Sequence, residues 1–517
     1  MVTGSNPVRF LNEIQNISIY TGPRHYAFLI TSNFLSRPQN FISIASGILK
    51  KSGLSNLDRR FVYQVSKGTI RFIYTIDFAI ELFSGIKINR IESSSLNILR
   101  IAFYQIIFLD KVPSYAAVNE SVNLAKEISG YKPSKFVNAV LRKATKVSDI
   151  SSFIKDKIKY SKLSQENQLS IMYSFPTWIL KEWGKYYSGG TIEKLCDYLN
   201  REPHIFARVN TIKISKKELE KIFHNNGIKT LNLYFPEPSM DLCNANTSET
   251  GLSFNYLPED FFSDTLLLDS SQDIEKMPGF DEGFFSIQDF SSQIAIKYVF
   301  EHCKGERILD ICGAPGGKAL YCSEITRCDS EICSVDISHE RLQIFKKNIK
   351  RLGLKNINLV EADASEDDFL YYNQKPSQYY YCYFDKIFID APCSALGTIA
   401  KNPDIKYIRQ YKDIEKLVAT SSKILTNCLR YLKKGGILVF YTCTLSVKEN
   451  QDVINKFLEI NKNICAPEPM ENIRRIFSKQ HKKEFGLLFN KNASMLEIMP
   501  FYFNGEGGFI CKIKKTG

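Results

Sequence analysis

The feature that most constrains this chain is a change of period near Phe290, after which short β-branched apolar runs alternate with amphipathic helical stretches. Such alternation builds a sheet from βα units, because each strand is buried on both faces and each helix on one. It predicts strands at Arg307–Ile311, Ile332–Asp336, Ile357–Glu361, Lys386–Asp390 and Gly436–Tyr441, with a late strand near Phe509–Ile513 closing the sheet. Helices are expected near Lys318–Ile325, His339–Leu352, Ile414–Leu432 and Lys448–Ile460. Residues 291–517 therefore read as an α/β, Rossmann-like, doubly wound domain.

The region before it has a different rhythm. From about His25 to Lys146 apolar residues recur at helical spacing, as in Phe61, Val62, Val65 and Leu96, Leu99, Ala102, Phe103, Ile106. Gly53, Gly85, Pro113, Gly130 and Pro133 mark breaks between helices, which makes 23–150 an all-α domain. Val147–Asn167 is mostly polar and reads as a linker or connecting helix, with 151–167 taken as the linker. Residues 168–290 look like a small α+β subdomain, with a helical opening at Trp178–Tyr187 and β-rich segments near Phe206–Ile212 and Leu252–Tyr256. Residues 1–22 match no pattern and are expected to be a disordered extension.

At 517 residues and 44% hydrophobic, the chain has apolar material for several cores, which excludes wholesale disorder. The longest apolar run, Ile101–Leu109, is bracketed by Arg100 and Asp110 and is too short to span a bilayer. Met1–Phe10 lacks the apolar stretch of a secretory signal, so a cytoplasmic protein without membrane attachment is expected. Thirteen cysteines without a C-x-x-C pair, and six histidines without i,i+4 spacing, suggest neither a disulfide framework nor a metal site. The net charge of +13 is concentrated at the start, where residues 1–150 hold 19 Lys plus Arg against nine Asp plus Glu. That excess fits a module docking on a polyanion such as RNA.

Asp310-Ile311-Cys312-Gly313-Ala314-Pro315-Gly316-Gly317-Lys318 falls where a strand gives way to a helix. Glycines let the backbone approach a ligand closely there, and the helix start offers unpaired N–H groups. Asp336 ends the next strand, where a carboxylate accepts from a ribose diol, and Asp363 follows the third, within reach of an adenine amino group. The spacing matches neither a P-loop nor a dinucleotide fingerprint. S-adenosylmethionine, with ribose and adenine but no phosphate, fits better.

Two cysteines stand just past predicted strands, Cys393 in Asp390-Ala391-Pro392-Cys393-Ser394 and Cys443 in Tyr441-Thr442-Cys443-Thr444. Carboxyl ends of parallel strands are where open α/β sheets bind and react. Methylating pyrimidine C5 requires a nucleophile to add at C6 first, and a cysteine suits that addition. Asp390 is placed to hydrogen-bond ring N3 and stabilise the charge that develops. A base must afterwards take the C5 proton so that the thiol can leave, and a second cysteine can assist release.

Asp310–Lys318, Asp390–Ser394, Thr442-Cys443 and Glu449-Asn450 together resemble the RNA cytosine-5 methyltransferases of the Nol/Nop/Sun type. The resemblance implies a class I methyltransferase domain in which Cys443 is the nucleophile and Cys393 the release residue. It also implies that Cys312, Gly313, Ala314, Pro315, Gly316, Gly317, Lys318, Asp336, Asp363 and Asp390 bind S-adenosylmethionine. Arg208-Val209-Asn210-Thr211 and the run Gln288-Asp289 through Gln293 are similar to segments preceding that domain in the family. Leu57–Phe61, Gly68–Arg71, Val118–Glu120 and Phe136–Arg142 resemble the NusB antitermination fold. NusB-like helices ahead of this catalytic domain are the arrangement of bacterial small-subunit ribosomal RNA methyltransferases of the RsmB type. A monomer acting on small-subunit (16S) ribosomal RNA, without a metal, is thus expected.

The chain departs from the family pattern at Gly313, where alanine is usual, at Thr444 for serine, at Ala400-Lys401 for two arginines and at Tyr407 for tryptophan. Lysine lacks arginine's bidentate fork, which weakens an expected phosphate clamp at 400–401. Tyr371, Tyr372, Tyr379, Tyr380, Tyr381 and Tyr383 crowd one loop, read as a surface insertion with some rings packed on the sheet rather than as a stacking platform for bases. The rival readings are a non-catalytic RNA-binding assembly factor, a DNA cytosine methyltransferase and a transfer RNA methyltransferase. The first has no use for both cysteines, and the second none for Cys443.

Overall fold

The computed structural model describes residues 22–231, 263–268, 273–300, 304–470 and 493–517. The sequence extension before residue 22 and the strand expected at Leu252–Tyr256 lie outside the described residues. The chain divides into two compact units, Met1–Asn200 with Lys401–Tyr411, and Arg201–Ala400 with Lys412–Gly517.

The first unit is helical. Helices Pro23–Ser36, Phe41–Leu49, Asn56–Arg71, Ile73–Ser84, Ser93–Phe108, Ser114–Ser129 and Tyr131–Ala144 bury the stripes their periodicity marks, with Val62, Val65, Leu99, Ala102 and Phe103 shielded from solvent. Gly85 ends one helix in the left-handed region, where φ of 72° favours glycine, and Pro113 precedes another. Pro133 differs from expectation. It sits in the first turn of its helix, where no intrahelical N–H bond is required of it.

The polar stretch 147–167 forms a helix over Ile150–Lys159 rather than a bare linker. Ile150, Ile154 and Ile158 make a buried stripe that joins the same core, and Asp149 caps the helix by accepting from the Ser152 N–H at 2.9 Å. Helices Gln165–Tyr173, Thr177–Gly184 and Gly189–Leu199 extend this unit to Asn200. Residues 401–411 complete it. The buried Lys406 ammonium donates to the Arg71 carbonyl (3.2 Å), the Ser174 carbonyl (2.9 Å) and Asn200 Oδ1 (2.8 Å), and Tyr407 donates to the Ile70 carbonyl at 2.8 Å.

The second unit holds two sheets. Strands β1 (Ile205–Val209), β2 (Thr230–Leu231), β3 (Thr265–Leu268) and β4 (Phe285–Ile287) form a small antiparallel sheet in the order β2-β3-β1-β4. Its apolar face, including Ala207, Val209, Leu266 and Leu268, packs with Leu219 and Phe223 of the helix Lys216–Asn225.

The larger sheet comprises β5 (Arg307–Ile311), β6 (Glu331–Asp336), β7 (Ile357–Glu361), β8 (Phe384–Asp390), β9 (Leu432–Thr442), β10 (Cys465–Pro467), β11 (Met495–Ile498) and β12 (Gly508–Lys515). Its order is β10-β12-β9-β8-β5-β6-β7, with β11 paired on β12. β5 to β9 are parallel, as expected from the alternation. The expected closing strand β12 lies inside the edge, antiparallel to β9 and flanked on its far side by β10 and β11, so the sheet is mixed. From β5 the chain winds outward to β6 and β7, then returns to β8 and β9 on the other side. The carboxyl ends of β5 and β8 therefore meet at the switch point of the winding, the usual ligand position in such sheets.

Among the described residues, no helix is long and apolar enough to cross a membrane, and no group of three His, Cys, Asp or Glu could hold a metal ion.

Candidate active site

The segment from Cys312 to Lys318 forms the turn between β5 and the helix Gly317–Ile325. Gly316 adopts φ of 106°, and a Cβ there would fall 2.2 Å from the Phe345 ring, so glycine is demanded by both backbone and neighbour. Asp336 at the end of β6 is buried and holds this turn. Its Oδ2 accepts from the Ala314 N–H (3.1 Å), and its Oδ1 accepts from the Ser338 N–H (2.9 Å) and Arg341 Nη2 (2.8 Å). Asp363, past β7, accepts from the Ser365 N–H (2.9 Å) and hydroxyl (2.7 Å). Cys312 faces inward, and burial pushes its thiol pKa far up, so it packs rather than reacts.

Across the switch point, Lys318 Nζ lies 2.6 Å from Asp390 Oδ2 and 4.7 Å from the centre of the Tyr441 ring. Burial works against the Lys318 charge, but Asp390 outweighs it and holds the ammonium pKa above its ordinary value. Asp310, inside β5, is buried, and its Oδ1 accepts no hydrogen bond. Burial pushes its carboxyl up to about 7, against the lowering bond from the Ser334 hydroxyl at 2.6 Å.

The two singled-out cysteines meet, with Cys393 Sγ and Cys443 Sγ 3.5 Å apart, within thiol hydrogen-bond range. Both are free thiols of partly buried residues. The Cys443 pKa is pushed well above its ordinary value by the bond to Cys393, by burial, and by the facing carboxylates of Asp390 and Glu506. A resting thiolate at Cys443 is thus disfavoured.

A buried polar bracket sets that distance. Glu449 Oε1 accepts from the Ser394 N–H (2.6 Å), and its Oε2 accepts from the Ser394 hydroxyl (2.6 Å) and the Thr444 hydroxyl (3.5 Å). Asn450 accepts from the Thr442 hydroxyl at 2.6 Å and donates to the Thr444 carbonyl at 3.0 Å. The Glu-Asn pair thus binds the residue after Cys393 and both neighbours of Cys443. The sequence showed this pair as part of a motif and gave it no role.

Over 494 residues the chain is 30% identical to a probable ribosomal RNA small subunit methyltransferase B from Synechocystis, covering 95% of this chain and 99% of that protein. The chain belongs to the RsmB/F family of 16S rRNA methyltransferases. The family's sequence model, 16S rRNA methyltransferase RsmB/F, matches residues 297–514; the NusB family matches 23–146 and the RsmF/B-like ferredoxin-like domain 175–240. A probable ribosomal RNA small subunit methyltransferase B of Bacillus subtilis is 28% identical, covering 92% of this chain and 94% of that one. Among solved structures, PH0851 superposes with a TM-score of 0.68 at 18% identity over 96% of this chain and 99% of its own. A methyltransferase homolog from Pyrococcus horikoshii gives 0.50 at 24% identity over 68% and 100%. The enzyme class and the fold class expected from the sequence are borne out.

Three of the four departures from the family pattern have a local setting. A Cβ at Gly313 would lie 1.9 Å from Asp310 Oδ2 and 2.2 Å from Ser334 Oγ, so the Asp310–Ser334 pair occupies the room of the usual alanine methyl. Thr444 keeps the hydroxyl a serine would supply, 2.7 Å from Ser394 Oγ. Tyr407 stacks on Tyr74 with ring centres 6.0 Å apart, and its hydroxyl is satisfied. In the tyrosine-rich loop Tyr372 and Tyr380 are buried while Tyr371, Tyr379 and Tyr381 are exposed. The loop leads into the start of β8, the end of the strand opposite to Asp390.

One further group was named in the sequence reading as part of a motif but given no role. Arg208 of β1 is fully buried and grips Glu324 through two bonds, Nε–Oε2 at 3.1 Å and Nη2–Oε1 at 2.9 Å. Its Nη1 donates to Gln288 and to the Gly317 carbonyl, the latter at 3.1 Å. The Arg-Val-Asn-Thr segment thereby fixes the helix that begins at the glycine turn.

Proposed function

We propose that this protein transfers the methyl group of S-adenosylmethionine to C5 of a cytosine in small-subunit ribosomal RNA, through a covalent bond between Cys443 and C6. The observation that carries this reading is the pair of thiols 3.5 Å apart beside the carboxylate of Asp390, which is bridged to Lys318 across the switch point. A DNA-type mechanism uses one such cysteine, and a binding factor has no use for either.

The cofactor assignment rests on charge. Asp336 and Asp390 contact the glycine turn, Asp363 follows β7 beyond them, and the turn's one lysine, Lys318, is already committed to Asp390. Such a pocket repels phosphate and suits a ligand offering hydroxyl, amino and ammonium donors together with a sulfonium charge. The backbone of 312–318 with Asp336, Asp363 and Asp390 would hold it there. Bound, S-adenosylmethionine supplies an electrophilic methyl group.

The remaining steps belong to the chain's own residues. As Cys443 adds to C6 its thiol proton passes to the facing Asp390 carboxylate, which in that protonated form donates to N3 as charge develops there, and Cys393, in hydrogen-bond contact with Cys443, gives a proton to the departing thiolate. The target cytosine has to be unpaired or flipped out, since a stacked base cannot present C6 to a thiol. The basic helices of 23–150 supply salt-sensitive phosphate contacts, 168–290 adds RNA contacts, and 291–517 carries the chemistry in the cytoplasm, where thiols stay reduced.

The test is methylation of unmodified small-subunit ribosomal RNA and of transfer RNA with label in the S-adenosylmethionine methyl group. 5-Methylcytosine in the ribosomal RNA alone is expected. Label in transfer RNA alone would replace the substrate, and label at any other atom would overturn the reading.

A further inference from the structure

S-adenosylmethionine carries one group that an acidic pocket does not welcome, the α-carboxylate of its amino-acid portion. Asp336 and Asp390 contact the glycine turn and would repel it. The cations of the site are already paired. Lys318 is bridged to Asp390, Arg341 to Asp336, and Arg208 to Glu324. An anion at the turn is therefore best held by neutral donors.

One such donor stands beside the turn with nothing to bond. Gln288, the residue after β4, is 7% exposed, and its Oε1 accepts from Arg208 Nη1. A guanidinium can only donate, so the amide oxygen has to be the atom facing Arg208, and the amide nitrogen the other. That nitrogen, Nε2, is buried and has no hydrogen-bond partner. An unpaired buried donor is destabilising, and native proteins keep few of them.

The position of Nε2 points to what it serves. A Cβ at Gly317 would meet it at 3.8 Å, which is an ordinary contact, and the Gly317 backbone lies outside the left-handed region. Neither collision nor conformation demands glycine there. What glycine does preserve is the space between the Gln288 amide and the first turn of the helix Gly317–Ile325. This helix opens at Gly316 without a side-chain cap, and the first N–H groups of a helix have no carbonyl of their own helix to bond. A helix start of this kind takes an anion. Arg208 joins the two features, since the same Nη1 that fixes the amide donates to the Gly317 carbonyl at 3.1 Å.

We propose that Gln288 is a cofactor-binding residue whose Nε2 donates to the α-carboxylate of S-adenosylmethionine beside the start of the helix Gly317–Ile325. The inference rests on the S-adenosylmethionine reading. Arg208, by holding Oε1, sets the direction of the donor before the ligand arrives, so it is a positioning residue for the same contact.

The test titrates the full chain with S-adenosylmethionine and with its decarboxylated form, which lacks only the carboxylate, and reads both dissociation constants by calorimetry. Gln288→Met removes the donor without adding charge, and should weaken S-adenosylmethionine about tenfold and the decarboxylated form by about twofold at most. Gln288→Glu keeps an acceptor for Arg208 and sets a negative charge against the carboxylate. It should weaken S-adenosylmethionine roughly 10²-fold and the decarboxylated form not at all, and it carries the test should Gln288→Met fail to fold. Equal weakening of both ligands would overturn the proposal, because the amide would then act only on the shape of the turn. Unchanged binding of S-adenosylmethionine by either variant would overturn it too. If the unchanged protein bound neither ligand, the S-adenosylmethionine reading would fall and this inference with it. If it bound both and the variants did not tell them apart, this inference alone would fall.

Discussion

The Cys393 and Cys443 turns follow neighbouring parallel strands and bring their sulfurs together, yet they are held in different ways. Cys443 stands directly at the end of β9, with Thr442 and Thr444 on either side tied to Asn450 and Glu449. Cys393 lies three residues past the end of β8, in a turn whose anchor is the Glu449 grip on Ser394 and the bond from Ser421 to the Pro392 carbonyl at 2.8 Å. Position at the strand end fixes one sulfur, which suits the nucleophilic role proposed for Cys443, since a nucleophile must meet a defined carbon. The other is set by a loop that one carboxylate holds, which suits a proton carrier whose task comes later.

The comparison predicts unequal losses. Cys443→Ala should lower methyl transfer by on the order of 10³-fold or more, since no neighbouring group can replace the covalent step. Cys393→Ala should lower steady-state turnover by about 10²-fold while leaving the first methyl transfer nearly intact, a split visible in single-turnover kinetics. Equal loss in both phases would erase the distinction between the turns. Glu449→Ala should cost about 1–3 kcal/mol in unfolding free energy by stranding the buried Ser394 N–H, and should reduce kcat with little change in the KM for RNA. Glu449→Gln, which keeps one acceptor, should recover most of both.

A smaller effect concerns the glycine turn. Gly313→Ala should destabilise by about 1–3 kcal/mol, because its methyl collides with Asp310 Oδ2. Adding Ser334→Ala frees Asp310 to turn aside, so the double variant should be less destabilised than the two singles summed, measured by a double-mutant cycle in urea. The smallest effect is in pH. The unfolded chain ionises Asp310 near ~4, whereas the folded chain keeps the proton up to about 7. Between those values the unfolded state binds fewer protons, so stability should fall as pH rises, and Asp310→Asn should flatten that slope.

The parallel strands and the places where Asp336, Asp390, Cys393 and Cys443 stand were legible because strand ends follow from a period of two and a turn residue. The distance between the cysteines was not, since it depends on a Glu449 side chain that reaches across two loops 55 residues apart in sequence. Residues 401–411 read as part of the catalytic region, yet Lys406 and Tyr407 complete the helical unit. The signal missing there is tertiary, because a lysine bonded to two carbonyls and an amide looks like any surface lysine in a sequence. Why glycine stands at 313 was not legible, because the reason is the Asp310–Ser334 pair, which adjacent parallel strands bring into register. The stripe Ile150, Ile154, Ile158 was hidden by the polar residues between.

The most direct measurement incubates the unchanged protein, Cys443→Ala and Cys393→Ala with unmodified small-subunit ribosomal RNA and S-adenosylmethionine, then resolves each on a denaturing gel. The two-cysteine mechanism predicts a protein–RNA adduct that accumulates with Cys393→Ala and is absent with Cys443→Ala. An adduct that persists in Cys443→Ala, or accumulates there and not in Cys393→Ala, would contradict it.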